Sequence, residues 1–283
     1  MIPYSCQSIN EDDIEAVVEA LKSSHLTQGE RVLEFEKALC EYVGVKHAVT
    51  FNSATSALHS AYIAAEIGID DEVITTPISF VATSNMFVEL GAKPIWCDVK
   101  LDGNIDERFI ERLITSKTKA IVPVDFAGKS VEMEKILQIA SKHNLMVIDD
   151  ASHALGAEFS GKKVGSMADM SIFSFHAIKP ITTAEGGAVV TNSNELAKKL
   201  IKIRSHGIVK KTLWNSDMDS MGYNYRLSDV AASLGVSQLK RLDAFIQKRE
   251  QIAQIYAEAF KNSKLFTFAF FGTTVKSLLF LNA

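Results

Sequence analysis

Three sets of polar residues in this sequence each follow a short apolar run. Lys179 closes the segment Ser174-Phe-His-Ala-Ile-Lys179, the pair Asp149-Asp150 follows residues 145–148, and Asn52-Ser-Ala-Thr-Ser56 follows residues 47–51. A lysine that can be neutral attacks carbonyl groups, and a carboxylate can keep a ring nitrogen protonated. Hydroxyls and free amides at the start of a helix can hold an anion. The first two sets therefore indicate amine–carbonyl chemistry, and the third indicates anion binding.

Signatures of other cofactor classes are missing from the sequence. It contains no GxxxxGK(S/T) loop and no GxGxxG motif after a strand, which argues against a nucleotide triphosphatase and a standard dinucleotide dehydrogenase. It contains no HxxxH, HExxH or clustered Cys/His set, so we expect no metal site. The remaining residues suit pyridoxal 5′-phosphate (PLP). This cofactor needs a lysine for its Schiff base, a carboxylate for its ring nitrogen and an anion cradle for its phosphate.

The elements that must position these residues alternate along the chain. Strands are predicted at 47–51, 73–75, 94–99, 120–124, 145–148, 171–175 and 188–191. Helices are predicted at 10–22, 32–42, 55–67, 80–90, 107–114, 131–142, 194–204, 228–239 and 243–261, with a hairpin around Ser160-Gly161. This order predicts an α/β sandwich with a mostly parallel sheet. Ligands of such sheets bind beyond the carboxyl ends of the strands, where the polar sets lie.

Composition and charge are those of an ordinary globular protein. The 283 residues are 47% hydrophobic and 23% charged, and a net charge of −4 favours neither nucleic acid nor an anionic membrane as a partner. Cys6, Cys40 and Cys97 form no CxxC pair, and the N-terminus has no signal-peptide pattern. No uncharged apolar run is long enough to span a membrane. These features predict a cytoplasmic protein.

The polar sets belong to longer sequence blocks that occur in a recognisable order over about residues 3–260. The blocks are Leu26-Thr-Gln-Gly29, Phe51-Asn-Ser-Ala-Thr-Ser-Ala-Leu58, Thr76-Pro-Ile-Ser-Phe-Val-Ala-Thr83, Asp149-Asp-Ala-Ser-His-Ala-Leu-Gly156, Ser174-Phe-His-Ala-Ile-Lys-Pro-Ile-Thr-Thr-Ala-Glu-Gly-Gly187, Arg204-Ser-His-Gly207 and Gly222-Tyr-Asn-Tyr-Arg226. Together they resemble the DegT/DnrJ/EryC1/StrS family of PLP-dependent sugar-nucleotide aminotransferases. The resemblance implies a three-layer α/β/α sandwich of the aspartate aminotransferase-like fold, PLP-dependent transferase fold type I.

The resemblance assigns a catalytic pair. Lys179 is implied to be the Schiff-base lysine and proton carrier, and its apolar neighbours Phe175 and Ile178 can desolvate it and lower its pKa. Asp150 is implied to pair with the pyridinium nitrogen, because the family has the functional acid second in the pair. From the residues alone, a solvated loop lysine, an acid that caps the following turn and a role for Asp149 instead of Asp150 stay open.

Four residues are implied to hold the phosphate. Ser174, Thr55 and Ser56 would give hydroxyls, and Ala54 would give its backbone N–H. Thr55 and Ser56 open a predicted helix, whose free amides and dipole favour an anion. The structural alternative for these hydroxyls is helix capping.

Three further residues are implied to contact the cofactor. His153 would contact the ring face or the 3-hydroxyl, and Phe80 would stack on the pyridine; the alternatives are a packed or surface histidine and a core phenylalanine. Asn224 is implied to reach the phosphate of a partner subunit in a homodimer with shared active sites; the alternative is a turn asparagine. We interpret His176 as structural.

Three phrases narrow the resemblance to members of the family that act in pseudaminic acid biosynthesis. They are Thr76-Pro-Ile-Ser-Phe-Val-Ala82, Asp102-Gly-Asn-Ile-Asp106 and Ala127-Gly-Lys-Ser-Val-Glu132. The implied reaction moves an amino group from glutamate to C4 of a UDP-linked 4-keto-6-deoxy-N-acetylhexosamine. The alternatives are another sugar-nucleotide aminotransferase, such as a 3-aminotransferase, a sugar 3-dehydrase, and a truncated non-catalytic chain that binds cofactor. Lys179 argues against the dehydrase, which has histidine at this position.

The C-terminal part departs from the family pattern. We expect a large PLP-binding domain at 1–240 and the start of a truncated C-terminal small domain at 241–283. Relatives are expected to continue for about a further hundred residues. Residues 265–283 contain 12 apolar residues and a single charge, Lys276. Our hypothesis is that this tail is a frameshift or truncation product, and the alternative is a strand pair that packs normally.

Overall fold

The computed structural model of the chain describes residues 6–210 and 216–262. The helices are α1 Glu11–Lys22, α2 Glu30–Val43, α3 Ala54–Ala64, α4 Val81–Glu89, α5 Glu107–Ile110, α6 Met133–His143, α7 Asn194–Arg204, α8 Asp229–Leu239 and α9 Leu242–Phe260. The strands are β1 His47–Phe51, β2 Glu72–Thr75, β3 Lys93–Trp96, β4 Thr118–Val122, β5 Met146–Asp150, β6 Glu158–Phe159, β7 Lys162–Lys163, β8 Met170–Ser174, β9 Gly187–Thr191, β10 Ile208–Lys210 and β11 Ser216–Met218. The predicted tail at 265–283 lies outside the described residues.

Seven strands form one sheet in the order β1-β9-β8-β5-β4-β2-β3. The pairs β8–β5, β5–β4, β4–β2 and β2–β3 are parallel, while β9 is antiparallel to both β1 and β8. Strands β1, β2, β3, β4, β5 and β8 therefore share one direction. Their carboxyl ends meet at the same edge of the sheet, as the sequence predicts.

Side chains alternate between the two faces of the sheet, as the two-residue period of a strand requires. One face packs on α3, α4 and α7 through a single apolar cluster, to which β9 contributes Val189 and β5 contributes Ile148. The other face packs on α2, α8 and α9 at one side and on α5 and α6 at the other. The molecule is thus a three-layer α/β/α sandwich with a mostly parallel sheet, which confirms the predicted fold.

The predicted element bounds are accurate to a few residues. The expected helix at 107–114 is α5 followed by a 3-10 turn at Glu111–Leu113, and the hairpin around Ser160-Gly161 is β6–β7. Helix α1 begins with a capping box, in which the Asn10 side chain accepts from the Asp13 amide and the Asp13 carboxylate accepts from the Asn10 amide, both at 3.1 Å. Across residues 6–210 and 216–262, no helix has the length and apolar character to cross a membrane.

Candidate active site

A cavity of about 620 Å³ opens at the sheet edge where the carboxyl ends of the strands meet. Its lining residues come from the segments that follow β1, β2, β4, β5 and β8. They are Ser53, Ala54, Thr55, Leu58, Ser79, Phe80, Ala82, Val124, Phe126, Asp150, Ser152, His153, Ser174, His176, Ile178, Lys179 and Glu185. Most of the residues named as site candidates from the sequence are among them. The two exceptions are Ser56 and Asn224.

The N-terminus of α3 forms one wall of the cavity. Ser53 is its N-cap, with the hydroxyl accepting from the Ser56 amide at 3.1 Å. The first amides of a helix have no intrahelical carbonyl to bind, so those of Ala54 and Thr55 are suited to an anion. The Ser56 hydroxyl instead donates to Asn52 Oδ1 at 2.6 Å within the capping turn, and its side chain is buried. Ser56 is thus the N3 partner of Ser53 in a capping box, and Ser53, which the sequence did not single out, lines the cavity.

Glycine is required where β9 begins, directly beneath this helix terminus. A Cβ on Gly187 would lie 2.6 Å from the backbone nitrogen of Ala54 and 2.7 Å from the carbonyl carbon of Ser53. The neighbouring Gly186 is packed equally closely, with its Cβ position 2.2 Å from the Thr183 hydroxyl. The absence of a side chain at Gly187 therefore allows the α3 amides to sit at the sheet edge.

We expect Gly187→Ala to damage this wall of the cavity. The added methyl group overlaps backbone atoms of α3 and not a flexible side chain, so the helix terminus must move. The expected cost is about 1–3 kcal/mol in the free energy of unfolding, together with weaker binding of inorganic phosphate at the cavity. Urea unfolding and phosphate titration measure the two effects. Gly68→Ala is the control for the cavity effect, because nothing lies within 4 Å of the added Cβ and the Gly68 backbone is not in the left-handed region.

Asp150 is held at the floor of the cavity by two hydroxyl donors. The Thr83 hydroxyl donates to Oδ2 at 2.6 Å, and Ser152 donates to Oδ1 through its hydroxyl at 2.6 Å and its amide at 3.2 Å. The residue is only 4% exposed. Charge-assisted hydrogen bonds of this kind fix the orientation of a carboxylate. Neither Thr83 nor Ser152 was predicted, although Ser152 is two residues from Asp150 in sequence.

Asp149 lies on the opposite face of the sheet, because successive side chains of a strand alternate. Its Oδ2 accepts from the Ser171 hydroxyl at 3.3 Å, and it is not among the lining residues. Burial raises the pKa of this carboxyl well above its usual range, and the nearby Asp125 and Asp150 raise it further. The placement favours Asp150 over Asp149 as the acid that meets a ligand.

Lys179 enters the cavity from the loop between β8 and β9. Burial lowers its pKa to about 8, although the negative charge of Asp150 opposes this shift. Burial, with a smaller contribution from Lys179, lowers the pKa of His153 to about 4. At pH 7 the imidazole is therefore neutral, while roughly a tenth of the lysine amine is free to attack a carbonyl. Burial of Lys179 thus provides the neutral amine that attack on a carbonyl needs.

Chemical labelling of the apo-protein tests this environment. We expect the reaction of Lys179 with an amine-specific acylating reagent to rise with pH and to level off above about 8, because only the neutral amine reacts. Ordinary lysines continue to gain reactivity up to about pH 10.4. Asp150→Asn removes the charge that raises the pKa of Lys179, so its midpoint should fall below that of the wild type. Peptide mass spectrometry after pulse labelling gives both midpoints, and a wild-type midpoint near 10 would contradict the prediction.

Phe80 and Asn224 are placed in ways that the sequence left open. Phe80 is the N-cap of α4, lines the cavity and is 70% exposed, so it is not a core phenylalanine. Asn224 is exposed and lies outside the cavity of its own chain, between Tyr223 and Tyr225, whose rings stack at 4.8 Å. A contact of Asn224 with a phosphate would have to be made in another subunit, and this stays a prediction.

The donor set of the cavity fits PLP. A buried carboxylate, a lysine with lowered pKa and a helix N-terminus converge on one space, and Ser174 adds a hydroxyl at the end of β8. The Ser174 hydroxyl accepts from the His176 amide at 3.4 Å, which leaves its proton available to a ligand. Asp150 would hold the ring nitrogen, Lys179 would hold the aldehyde carbon, and Ser174 with the α3 terminus would hold the phosphate.

Known proteins are similar to this chain in sequence and in fold. A relative from Campylobacter jejuni serotype O:23/36, named UDP-4-amino-4,6-dideoxy-N-acetyl-beta-L-altrosamine transaminase, is 57% identical over 271 residues, covering 94% of this chain and 72% of its own. A Helicobacter pylori relative with the same name is 53% identical over 93% of this chain and 71% of its own. The solved structure of Helicobacter pylori PseC, an aminotransferase involved in the biosynthesis of pseudaminic acid, superposes with a TM-score of 0.91, at 53% identity over 93% of this chain and 71% of that one.

A Streptococcus pneumoniae protein solved in its PMP-form superposes with a TM-score of 0.94 at 32% identity, over 99% of this chain and 77% of that one. The profile of the DegT/DnrJ/EryC1/StrS aminotransferase family matches residues 7–277. The resemblance seen in the sequence blocks is confirmed, and the chain belongs to the DegT/DnrJ/EryC1/StrS aminotransferase family.

Proposed function

We propose that this chain is a PLP-dependent aminotransferase that moves an amino group to C4 of a UDP-linked 4-keto-6-deoxy-N-acetylhexosamine, as a step in pseudaminic acid biosynthesis. The observation that carries the reaction class is the convergence of Lys179, Asp150 and the α3 terminus on one cavity. The substrate assignment is supported by the 57% identity to the relative named UDP-4-amino-4,6-dideoxy-N-acetyl-beta-L-altrosamine transaminase. The 53% identity to PseC, an aminotransferase of pseudaminic acid biosynthesis, supports the pathway.

Bound PLP supplies an aldehyde that carries the amino group and a ring that accepts electrons. The chain supplies the remaining functions. The carboxylate of Asp150, oriented by Thr83 and Ser152, holds a proton at the ring nitrogen. The lowered pKa of Lys179 keeps a fraction of its Nζ neutral at physiological pH, and this neutral amine can take a proton from the substrate carbon and return it to the neighbouring carbon. Neutral His153 adds no second positive charge beside this amine.

We further propose glutamate as the amino donor, a homodimer as the assembly and the cytoplasm as the location. The family resemblance supports the donor and the dimer. The exposed position of Asn224, away from the cavity of its own chain, suits a contact with a second subunit. Cys6, Cys40 and Cys97 are free thiols, which suits a reducing compartment.

A spectroscopic titration followed by product analysis tests the proposal. The 283-residue chain is loaded with PLP, and its visible absorbance is recorded before and after addition of glutamate. We expect the band of lysine-bound cofactor to bleach. Addition of the UDP-linked 4-keto sugar should then restore the band and give an aminosugar with nitrogen at C4 by NMR.

Each half of this experiment has an outcome that contradicts the proposal. A band that does not respond to glutamate or to other amino acids would refute transamination by this chain. A bleached band that is restored only by a GDP-linked sugar, or a product with nitrogen at C3, would refute the substrate assignment and leave the reaction class intact. Lys179→Ala, which should show no such band, is the control for its origin.

A further inference from the structure

The loop that carries Lys179 is fixed to the body of the protein downstream of the lysine. The Thr183 amide donates to the Phe175 carbonyl at 2.9 Å, and the Thr182 hydroxyl donates to the same carbonyl at 3.2 Å. The Thr182 amide donates to Gln238 Oε1 on α8 at 3.4 Å. These bonds close the loop at its base, but none of them is made by Lys179.

At Lys179 itself the backbone is held by an arginine from another element. Arg249 of α9 donates from one guanidinium nitrogen to the Lys179 carbonyl at 3.2 Å and from the other to the Pro180 carbonyl at 3.3 Å. A planar guanidinium that binds two successive carbonyls fixes their relative orientation, because its donors lie in a rigid fork. The Lys179 amide donates to the His176 carbonyl at 2.9 Å, but that bond stays within the same turn.

Helix α9 is anchored without help from Arg249. Leu242 and Ile246 are buried in the cluster under α2 and α8, and Asp243 accepts from the Tyr42 hydroxyl at 2.6 Å. Two turns of the helix therefore dock on the large domain before Arg249 is reached. Beyond that point the helix is more exposed, with Ile255 and Tyr256 facing solvent. Arg249 thus projects from a fixed support and not from a mobile one.

The Arg249 side chain reaches the loop from outside the cavity that holds Asp150. It lines a separate space of about 230 Å³ with Gln7, Pro180, Phe245 and Lys248, and Lys179 borders both spaces. Lys179 is therefore common to the linings of the two spaces. Contacts on the Arg249 side can set the position of Nζ without touching cofactor or substrate.

We propose that Arg249 is a positioning residue that fixes the backbone of Lys179 from α9, so that its amine stays aligned with Asp150 across the active-site cavity. This inference rests on the role proposed for Lys179. Small misplacements of a reacting group cost large factors in rate, so a fixed backbone at the lysine has catalytic value. Through Arg249, helix α9 would also help to position the catalytic lysine.

Hydrogen–deuterium exchange of the apo-protein tests the proposal without cofactor. In Arg249→Met, which keeps the length and apolar stem but removes all donors, we expect amides of residues 176–184 to exchange about 10-fold faster. A 10-fold change corresponds to about 1.4 kcal/mol, a modest net effect for the loss of the two hydrogen bonds that the charged guanidinium donates. Strand β5 and the first turns of α9 should keep their protection. Arg249→Lys, with a single donor group, should show a smaller increase.

A second readout concerns the lysine itself. Loosening of the loop lets water reach Nζ, so the labelling midpoint of Lys179 should rise from about 8 towards that of ordinary lysines. Lys248→Met is the matched control, since Lys248 is exposed, borders the same small space and makes no hydrogen bond to the loop within the described part of the chain. We expect wild-type exchange and labelling in this control.

The outcomes separate the inference from the proposed function. Unchanged exchange at 176–184 in Arg249→Met, or faster exchange spread evenly over the sheet and α9, would overturn the positioning role. If Arg249→Met does not fold, the comparison is made with Arg249→Lys, where wild-type exchange and labelling would equally overturn it. A wild-type chain that binds no PLP would refute the proposed function and leave the exchange comparison standing.

Discussion

Replacement of Lys179 by alanine should leave PLP bound but reduce amino transfer by about 10⁴-fold or more. The phosphate cradle at α3 and Ser174 does not involve the lysine, so the cofactor keeps its main anion contacts. The reaction loses its covalent anchor and the amine that moves the proton, and proton transfer by a positioned group alone contributes about 10²–10⁴-fold. Equilibrium dialysis measures PLP affinity, and stopped-flow absorbance after addition of glutamate measures the half-reaction.

Two controls test whether the loss of activity in Lys179→Ala is specific to the missing amine. Lys248→Ala removes a nearby exposed amine that borders the lysine loop, and it should retain wild-type rates. Added methylamine should partly restore activity to Lys179→Ala, because the missing function is a neutral amine in the cavity. A Lys179→Ala chain that is as fast as the wild type would show that another residue carries the proton, and the assignment of Lys179 would be wrong.

The sequence predicted which edge of the sheet carries the active site, because the ends of the strands can be recognised in the sequence. Each apolar run ends in a polar residue, and parallel strands bring those ends together, so Lys179, Asp150 and Thr55 meet although they are far apart in the chain. No knowledge of side-chain direction is needed for that inference. The α/β sandwich with a mostly parallel sheet follows from the alternation of predicted strands and helices, whose bounds were accurate to a few residues, while its three-layer form was implied by the family resemblance.

Side-chain direction within a turn could not be predicted in the same way. Ser53 and Ser56 both flank the start of α3, and which hydroxyl caps the helix depends on the backbone dihedral angles of Ser53. The contact of Thr83 with Asp150 joins residues 67 positions apart and depends on the packing of α4. Arg249 acts across 70 positions on a carbonyl, for which no sequence motif exists. These contacts arise only in the folded chain.

The buried carboxylate of Asp150 carries the second large prediction, in the variant Asp150→Asn. We expect this variant to fold with nearly wild-type stability while amino transfer falls by about 10²–10⁴-fold, as the loss of one partner of a buried charge pair implies. The amide oxygen can still accept from the Ser152 hydroxyl and amide at Oδ1. The Thr83 hydroxyl can rotate to accept from the new amide group. Only the charge that holds a proton at the ring nitrogen is removed.

Comparison with Asp149→Asn separates charge from burial. Asp149 is equally buried in the same strand but lies on the other face, and it is not among the residues that line the cavity. Its replacement should therefore leave the rate within a few-fold of wild type. The half-reaction rate with glutamate, thermal unfolding and the PLP dissociation constant are measured for both variants. If Asp149→Asn and Asp150→Asn lost the same factor in rate, the effect would not be specific to Asp150. The proposed pairing of Asp150 with the cofactor would then be wrong.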